Sequence, residues 1–188
     1  MNFFTLDLYH RFNSPDVDEA VRADAEWEDA IVRYKNYLQT YRDDLPPGAK
    51  KLAEEVNLHD AEVLSIRVEY LAAGIPHYWV LFAPHPPVQI PYSIVSQMTP
   101  QLIIALRLTQ GTGIILYSLW NQIEPQFREI RPSTDRLYWL YDEIVPDRER
   151  PRHFWHNILF SDESTLKVPF IDCVYLKLDA REERKTKG

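Results

Sequence analysis

The sequence predicts an α+β domain, in which a long N-terminal amphipathic helix packs on a mainly antiparallel sheet of about six strands. Three observations carry this. From Ser14 to Leu45, apolar residues recur at helical spacing with only Pro15, near the start, as a breaker. From Leu58 onward the pattern changes to period two or to short, wholly apolar runs. Clusters of Gly, Pro, Asp and Ser separate those runs. A length of 188 residues favours one domain, 1–57 mainly helical, 58–180 mainly β and 181–188 a charged, frayed tail.

Residues 1–13 read as a short strand or an irregular segment that packs Phe3, Phe4, Leu6 and Leu8. Ser14 then supplies an N-cap and Pro15 the first helical position, with Asp16, Asp18 and Glu19 in or near the positive first turn. Trp27, Ile31, Tyr34, Leu38, Tyr41 and Leu45 form one stripe. Unbroken, this helix would run about 45 Å. The stripe needs an apolar surface, and Leu64, Ile66, Val68 and the final strand offer one; its near-heptad spacing also allows a helix–helix dimer seam. Pro46-Pro47-Gly48 ends the helix, and a short amphipathic helix follows over Ala49–Val56.

Leu64, Ile66, Val68 and Tyr70 alternate with polar residues, as on a strand with one wet face, and 77–82 forms its hairpin partner. Five prolines make 83–100 a crossing loop. Leu102–Leu108 and Ile114–Trp120 are apolar at both parities and read as a central hairpin covered on both faces. Thr99-Pro100 also permits a helix running to Gly111. Leu137–Val145, His153–Phe160 and Leu166–Leu178 complete the sheet, the last two joined at Asp162-Glu163-Ser164.

Composition narrows the function. Apolar residues at 45% and charged residues at 26% describe a globular chain. The net charge of −7 argues against nucleic acid and anionic membrane as partners. No apolar run approaches the roughly 18–20 residues of a membrane span. A lone cysteine, Cys173, and an N-terminus without a basic signal segment point to the cytoplasm. Phosphate-loop, dinucleotide, nucleophile-elbow, zinc-protease and paired-cysteine motifs are all missing, so no cofactor is expected.

Four weaker features remain as candidate catalytic residues. His59 and Asp60 stand at a strand entrance, where they could bind a metal, shuttle protons or satisfy free backbone groups. On a strand their side chains would face opposite ways. In Trp139–Glu143, strand parity places Trp139, Tyr141 and Glu143 on one face and Leu140, Asp142 and Ile144 on the other. Either Asp142 or Glu143 thus lies among apolar residues, as an acid/base group or paired with an arginine such as Arg128 or Arg136. His156 shares an inward parity with Ile158 and Phe160, as a core histidine or a catalytic one; with His59 it is a candidate metal ligand. Asp172 interrupts the apolar parity from Leu166 to Leu178, which calls for a bulge near Phe170–Cys173 or a partner such as His59 or His156. Cys173 reads as structural, and Arg148–Arg152 as a solvated loop.

The opening Met1–Tyr9, Leu58-His59-Asp60-Ala61-Glu62-Val63, Trp139–Ile144 and His156-Asn157-Ile158-Leu159-Phe160-Ser161 resemble landmarks of a bacterial protein family without an assigned activity. That likeness implies a helical N-terminal part, a Leu-His-Asp element and a closing hairpin, and it brings no catalytic residues. Leu-His-Asp followed by strands is also similar, more loosely, to some immunity proteins of bacterial toxin systems. The leading expectation is a non-catalytic interaction module, immunity-like or regulatory, whose partner is another protein or a homodimer mate. Tyr and Trp abundance supports it, since both make good contact anchors. The alternative is a small metal-dependent or acid/base hydrolase built on His59, Asp142 or Glu143, and His156.

Overall fold

A computed structural model describes residues 1–72, 75–82, 101–109, 111–119, 126–128 and 136–178. The proline-rich 83–100 segment, the 181–188 tail, Trp120, and the side chains of Val68, Tyr70 and Arg128 lie outside the described residues.

The helical third differs in detail from the sequence expectation. Leu6–Phe12 is a helix, α1, rather than a strand or irregular segment: Thr5 caps it by accepting from the Leu8 amide at 3.2 Å. The second helix, α2, spans Val17–Gln39, and its N-cap is Asp16, which accepts from the amides of Asp18 and Glu19. Ser14 instead accepts from the Asp16 amide, so Pro15 belongs to the turn before the cap. At 23 residues α2 is about 35 Å long, not 45 Å. It stops because Thr40 and Tyr41 turn the chain into a short 3-10 helix, Arg42–Asp44, that brings Tyr41 and Leu45 into the core. The third helix, α3, covers Pro47–Glu55. Among the described residues no helix is long and apolar enough to cross a membrane.

The strands are β1 (Ala61–Ala72), β2 (Ile75–Phe82), β3 (Gln101–Leu108), β4 (Gly111–Leu119), β5 (Gln126–Arg128), β6 (Tyr138–Pro146), β7 (Phe154–Phe160) and β8 (Thr165–Leu178). Strands β3 and β4 thus form a hairpin and not a helix, with Gly111 at a φ of 98°. Every pairing is antiparallel, in the order β2-β1-β3-β4-β8-β7-β6. Strand β6 then returns to β1 through Ala61–Trp139 and Glu62–Tyr138, which closes β1, β3, β4, β8, β7 and β6 into a barrel. The expected sheet under a helix is corrected to that extent. Side chains fill the barrel: Trp139, Tyr117, Phe154, Phe160 and Phe170 are fully buried, together with Ile66, Leu102, Ile104, Leu106 and Ile115.

Bulges on β8 and β1 help decide which residues face inward. On β8 the register slips between Ser118–Asp172 and Leu119–Phe170, leaving Ile171 as the extra, exposed residue. This is the bulge that the Asp172 parity calls for. It turns Cys173 inward and sends Val174, Leu176 and Leu178 to the outer face beside Ile103, Ile114 and Leu116. Strand β1 slips between Val63 and Ser65, so Val63 and Ile66 both join the core, and the simple Leu64–Ile66 alternation does not hold.

The helices cover edges that barrel closure leaves open. Beyond its short junction with β1, the outer edge of β6 has no strand partner among the described residues. Tyr34 of α2 accepts from the Ile144 amide at 2.7 Å, and Tyr34 and Tyr41 both donate to the Ile144 carbonyl. Burial holds both tyrosines above the ordinary phenol range, so each keeps its proton. The stripe therefore docks on this edge, which the sequence does not anticipate. Its first half, Trp27, Ile31 and Tyr34, packs with Phe4, Leu8 and Tyr141 in a satellite cluster, while Leu38, Tyr41 and Leu45 reach the main core. Tyr34→Phe leaves the Ile144 amide covered and unpartnered, and a loss of about 1–3 kcal/mol is expected. A lower urea midpoint at unchanged slope is the readout.

Candidate functional site

The sequence candidates other than Asp172 fall into three separate places. The first is inside the barrel. Strand β7 points His156 inward, fully buried, between β4 and β6. Its Nδ1 lies 2.8 Å from the Tyr117 hydroxyl and its Nε2 2.7 Å from Asp142 Oδ2. Burial, then the neighbouring Cys173 and Asp142, hold Tyr117 well above the ordinary phenol range. Its hydroxyl therefore keeps a proton to share with Nδ1, and in the tautomer that accepts it Nε2–H donates to Asp142. Trp139 Nε1 donates to the other Asp142 oxygen at 2.9 Å. Strand parity alone separates Trp139 from Asp142. A register slip between Trp139 and Tyr141 puts both on the inner face and corrects that assignment. The result is a satisfied four-residue chain, Tyr117–His156–Asp142–Trp139, across three strands.

The second place is the outer side of β6. Glu143 is fully buried, and its carboxylate accepts from the backbone amides of Asn2 and Phe3 and, at 3.1 Å, from Asn157 Nδ2. It ties the N-terminal segment to the barrel through these amides and not through Arg136. Arg136 instead lies 3.7 Å from Glu62, which Arg107 approaches to 3.0 Å. Asp172, beside the β8 bulge, accepts from the Cys173 amide. Burial, reinforced by Asp172, pushes the Cys173 thiol far up, so it holds its proton and is a structural group.

The third place is a surface cleft of about 480 Å³ between α3, the Leu58–Ala61 turn and the β3–β4 and β8 ends. Asn57 Oδ1 accepts from the His59 amide, the Asp60 amide donates to the Trp139 carbonyl, and the Ala61 amide donates to the Leu58 carbonyl. These bonds pin a tight turn with Asp60 at a φ of 63°. Because Asp60 is left-handed and precedes the strand, its side chain swings toward its neighbour. Asp60 Oδ2 sits 3.0 Å from His59 Nδ1, which corrects the expectation of opposite faces. Tyr141 braces the imidazole edge-on at 5.0 Å. His59 and Asp60 keep 40% and 75% of their side chains exposed, so this pair is open to an incoming group where His156 is not. Across the cleft stand Lys51, from α3, and Tyr175 and Lys177, from β8.

The geometry brings together His59 with Asp60, and His156 with Asp142. It does not join the two pairs: His59 meets Tyr141 on the outer side of β6, whereas Asp142, the next residue, points into the barrel. Among the described residues, no three His, Cys, Asp or Glu side chains group as metal ligands. No family model, curated protein or solved structure matches the chain. Function is therefore read from the site alone. Sequence reasoning misses Tyr117 and Trp139 in the buried chain, although Tyr117 carries a hydroxyl in the middle of an apolar run and that oddity is a usable signal. Lys51, Thr109, Tyr175 and Lys177 carry no local signal, because they meet only through the fold.

Proposed function

We propose that the protein is a non-catalytic recognition module whose partner, another protein, docks at the cleft between α3 and the Leu58–Ala61 turn. One observation carries this reading. The buried candidates are consumed in holding the fold, while the open cleft gathers an exposed His–Asp pair, a tyrosine and two lysines. Tyr175 and His59 provide rigid anchors, and the lysines provide orientation. An immunity-like or regulatory role is the form of this reading that the Leu-His-Asp likeness suggests.

The test is a pull-down from native lysate with the wild-type protein beside a Tyr175→Ala/His59→Ala variant. A stoichiometric partner recovered by the wild type and lost, by at least about tenfold, with the variant is the expected result. Equal recovery with both, or no partner with either, overturns the reading. A second reading, an acid/base hydrolase, is favoured by the 3.0 Å His59–Asp60 pair on the cleft wall. It would use that pair without Asp142, Glu143 or His156, which point elsewhere.

A further inference from the structure

We infer that the cleft between α3 and β8 binds an oxyanion, a phosphate or carboxylate group, held between Lys51 and Lys177. The inference rests on the proposal that this cleft is the recognition site, and names the chemistry it takes.

The lysines are placed by the fold. Gly48 lets α3 approach β8 backbone to backbone at Cys173, and Lys51 lies one helical turn further along on the same face. Its ammonium stands 6.0 Å from the Tyr175 ring centroid. Lys177 follows Tyr175 by two residues on β8 and so shares its face of the strand. Among the described residues neither lysine is in an ion pair, whereas Arg11, Arg22, Arg33, Arg42 and Arg107 all are. In a chain of net charge −7, two unpaired ammonium groups on one concave surface form a local exception. The carboxylate that could neutralise them from the turn, Asp60, is engaged by His59. That engagement takes up the Nδ1 proton of His59, while Thr109 adds a hydroxyl to the same lining. Glu55 also lines the cleft, so the two lysines stand against two acids, Glu55 and the His59-bound Asp60, rather than forming a diffuse basic patch. Ammonium groups with a hydroxyl partner suit the compact charge of an oxyanion.

Calorimetric titration of the whole chain with inorganic phosphate, and separately with acetate, reads the inference directly. Saturable binding of at least one anion is expected, weakened about tenfold by Lys51→Ala and by Lys177→Ala. Lys35→Ala, on the exposed face of α2, is expected to leave it unchanged. No saturable binding, or binding that both cleft variants retain, overturns the inference; circular dichroism confirms that each variant is folded. The source of the group is read by adding phosphate to the pull-down. Displacement of the captured partner shows that the partner supplies the anionic group, and undiminished capture shows that the cleft takes a free anion. Cleft-dependent capture without anion binding would leave the recognition module standing and remove only the oxyanion. Anion binding without capture would do the reverse.

Discussion

Gly48→Ala is expected to destabilise the protein by about 3 kcal/mol, although alanine is intrinsically the better helix former by about 1 kcal/mol. Gly48 lies in the first turn of α3, and a Cβ added there would stand 1.6 Å from the Cys173 carbonyl oxygen and 2.7 Å from its carbon. Both atoms are backbone, so no side-chain rotation relieves the clash. Strand β7 leaves β8 after Phe170, and α3 lies on the edge that follows. To admit the methyl group α3 must lift away, which withdraws Ala49 and Leu52 from the core. Urea denaturation measures the loss. Hydrogen exchange on the same variant is expected to show early opening of α3, and phosphate titration a weakened cleft, since Lys51 moves with the helix. A midpoint equal to or above that of the wild type would mean that α3 does not touch β8.

His156→Leu is expected to cost about 3 kcal/mol, because the fully buried imidazole serves two partners at once, the buried Tyr117 and the partly exposed Asp142. Its removal takes from the Tyr117 hydroxyl and from one Asp142 oxygen the imidazole partner each now has. Leucine is close in volume, so packing loss contributes little and the penalty is mainly that of unsatisfied polar groups. A double-mutant cycle with Asp142→Leu separates the two. The pair changed together is expected to be less damaging than the sum of the single changes, since no stranded carboxylate remains. Additive losses would mean that the Asp142–His156 contact is not energetically coupled. Loss of catalysis is not the expected phenotype of either variant under the proposed function, because Tyr117, His156 and Trp139 of the chain are fully buried.

Several of these features are legible in the residue pattern. Parity with Ile158 and Phe160 places His156 inward, and the interruption at Asp172 calls for the bulge found at Ile171. The apolar runs on either side of Gly111 identify a hairpin buried on both faces. Periodicity and turn chemistry are local quantities, so a sequence displays them directly. The α1 helix escapes that reading because its seven residues make under about two turns, and Leu6 and Leu8 alternate as a strand would. Its Thr5 cap is the local sign that marks it. Parity counting sets Trp139 on the wrong face because it assumes an unbroken register, and the slip before Tyr141 leaves no local mark.

By itself, then, the sequence determined the helix-then-strand order, the inward histidine and the lack of known catalytic motifs. These follow from side-chain period, capping and composition, each a property of neighbouring residues. Tertiary structure alone decided that the strands close through Ala61–Trp139, that Tyr34 and Tyr41 protect the β6 edge, and that Lys51 faces Tyr175 and Lys177. The physical reason is distance along the chain. Lys51 and Lys177 are far apart in sequence, and only the register of β8 and the missing side chain at Gly48 bring them onto one cleft.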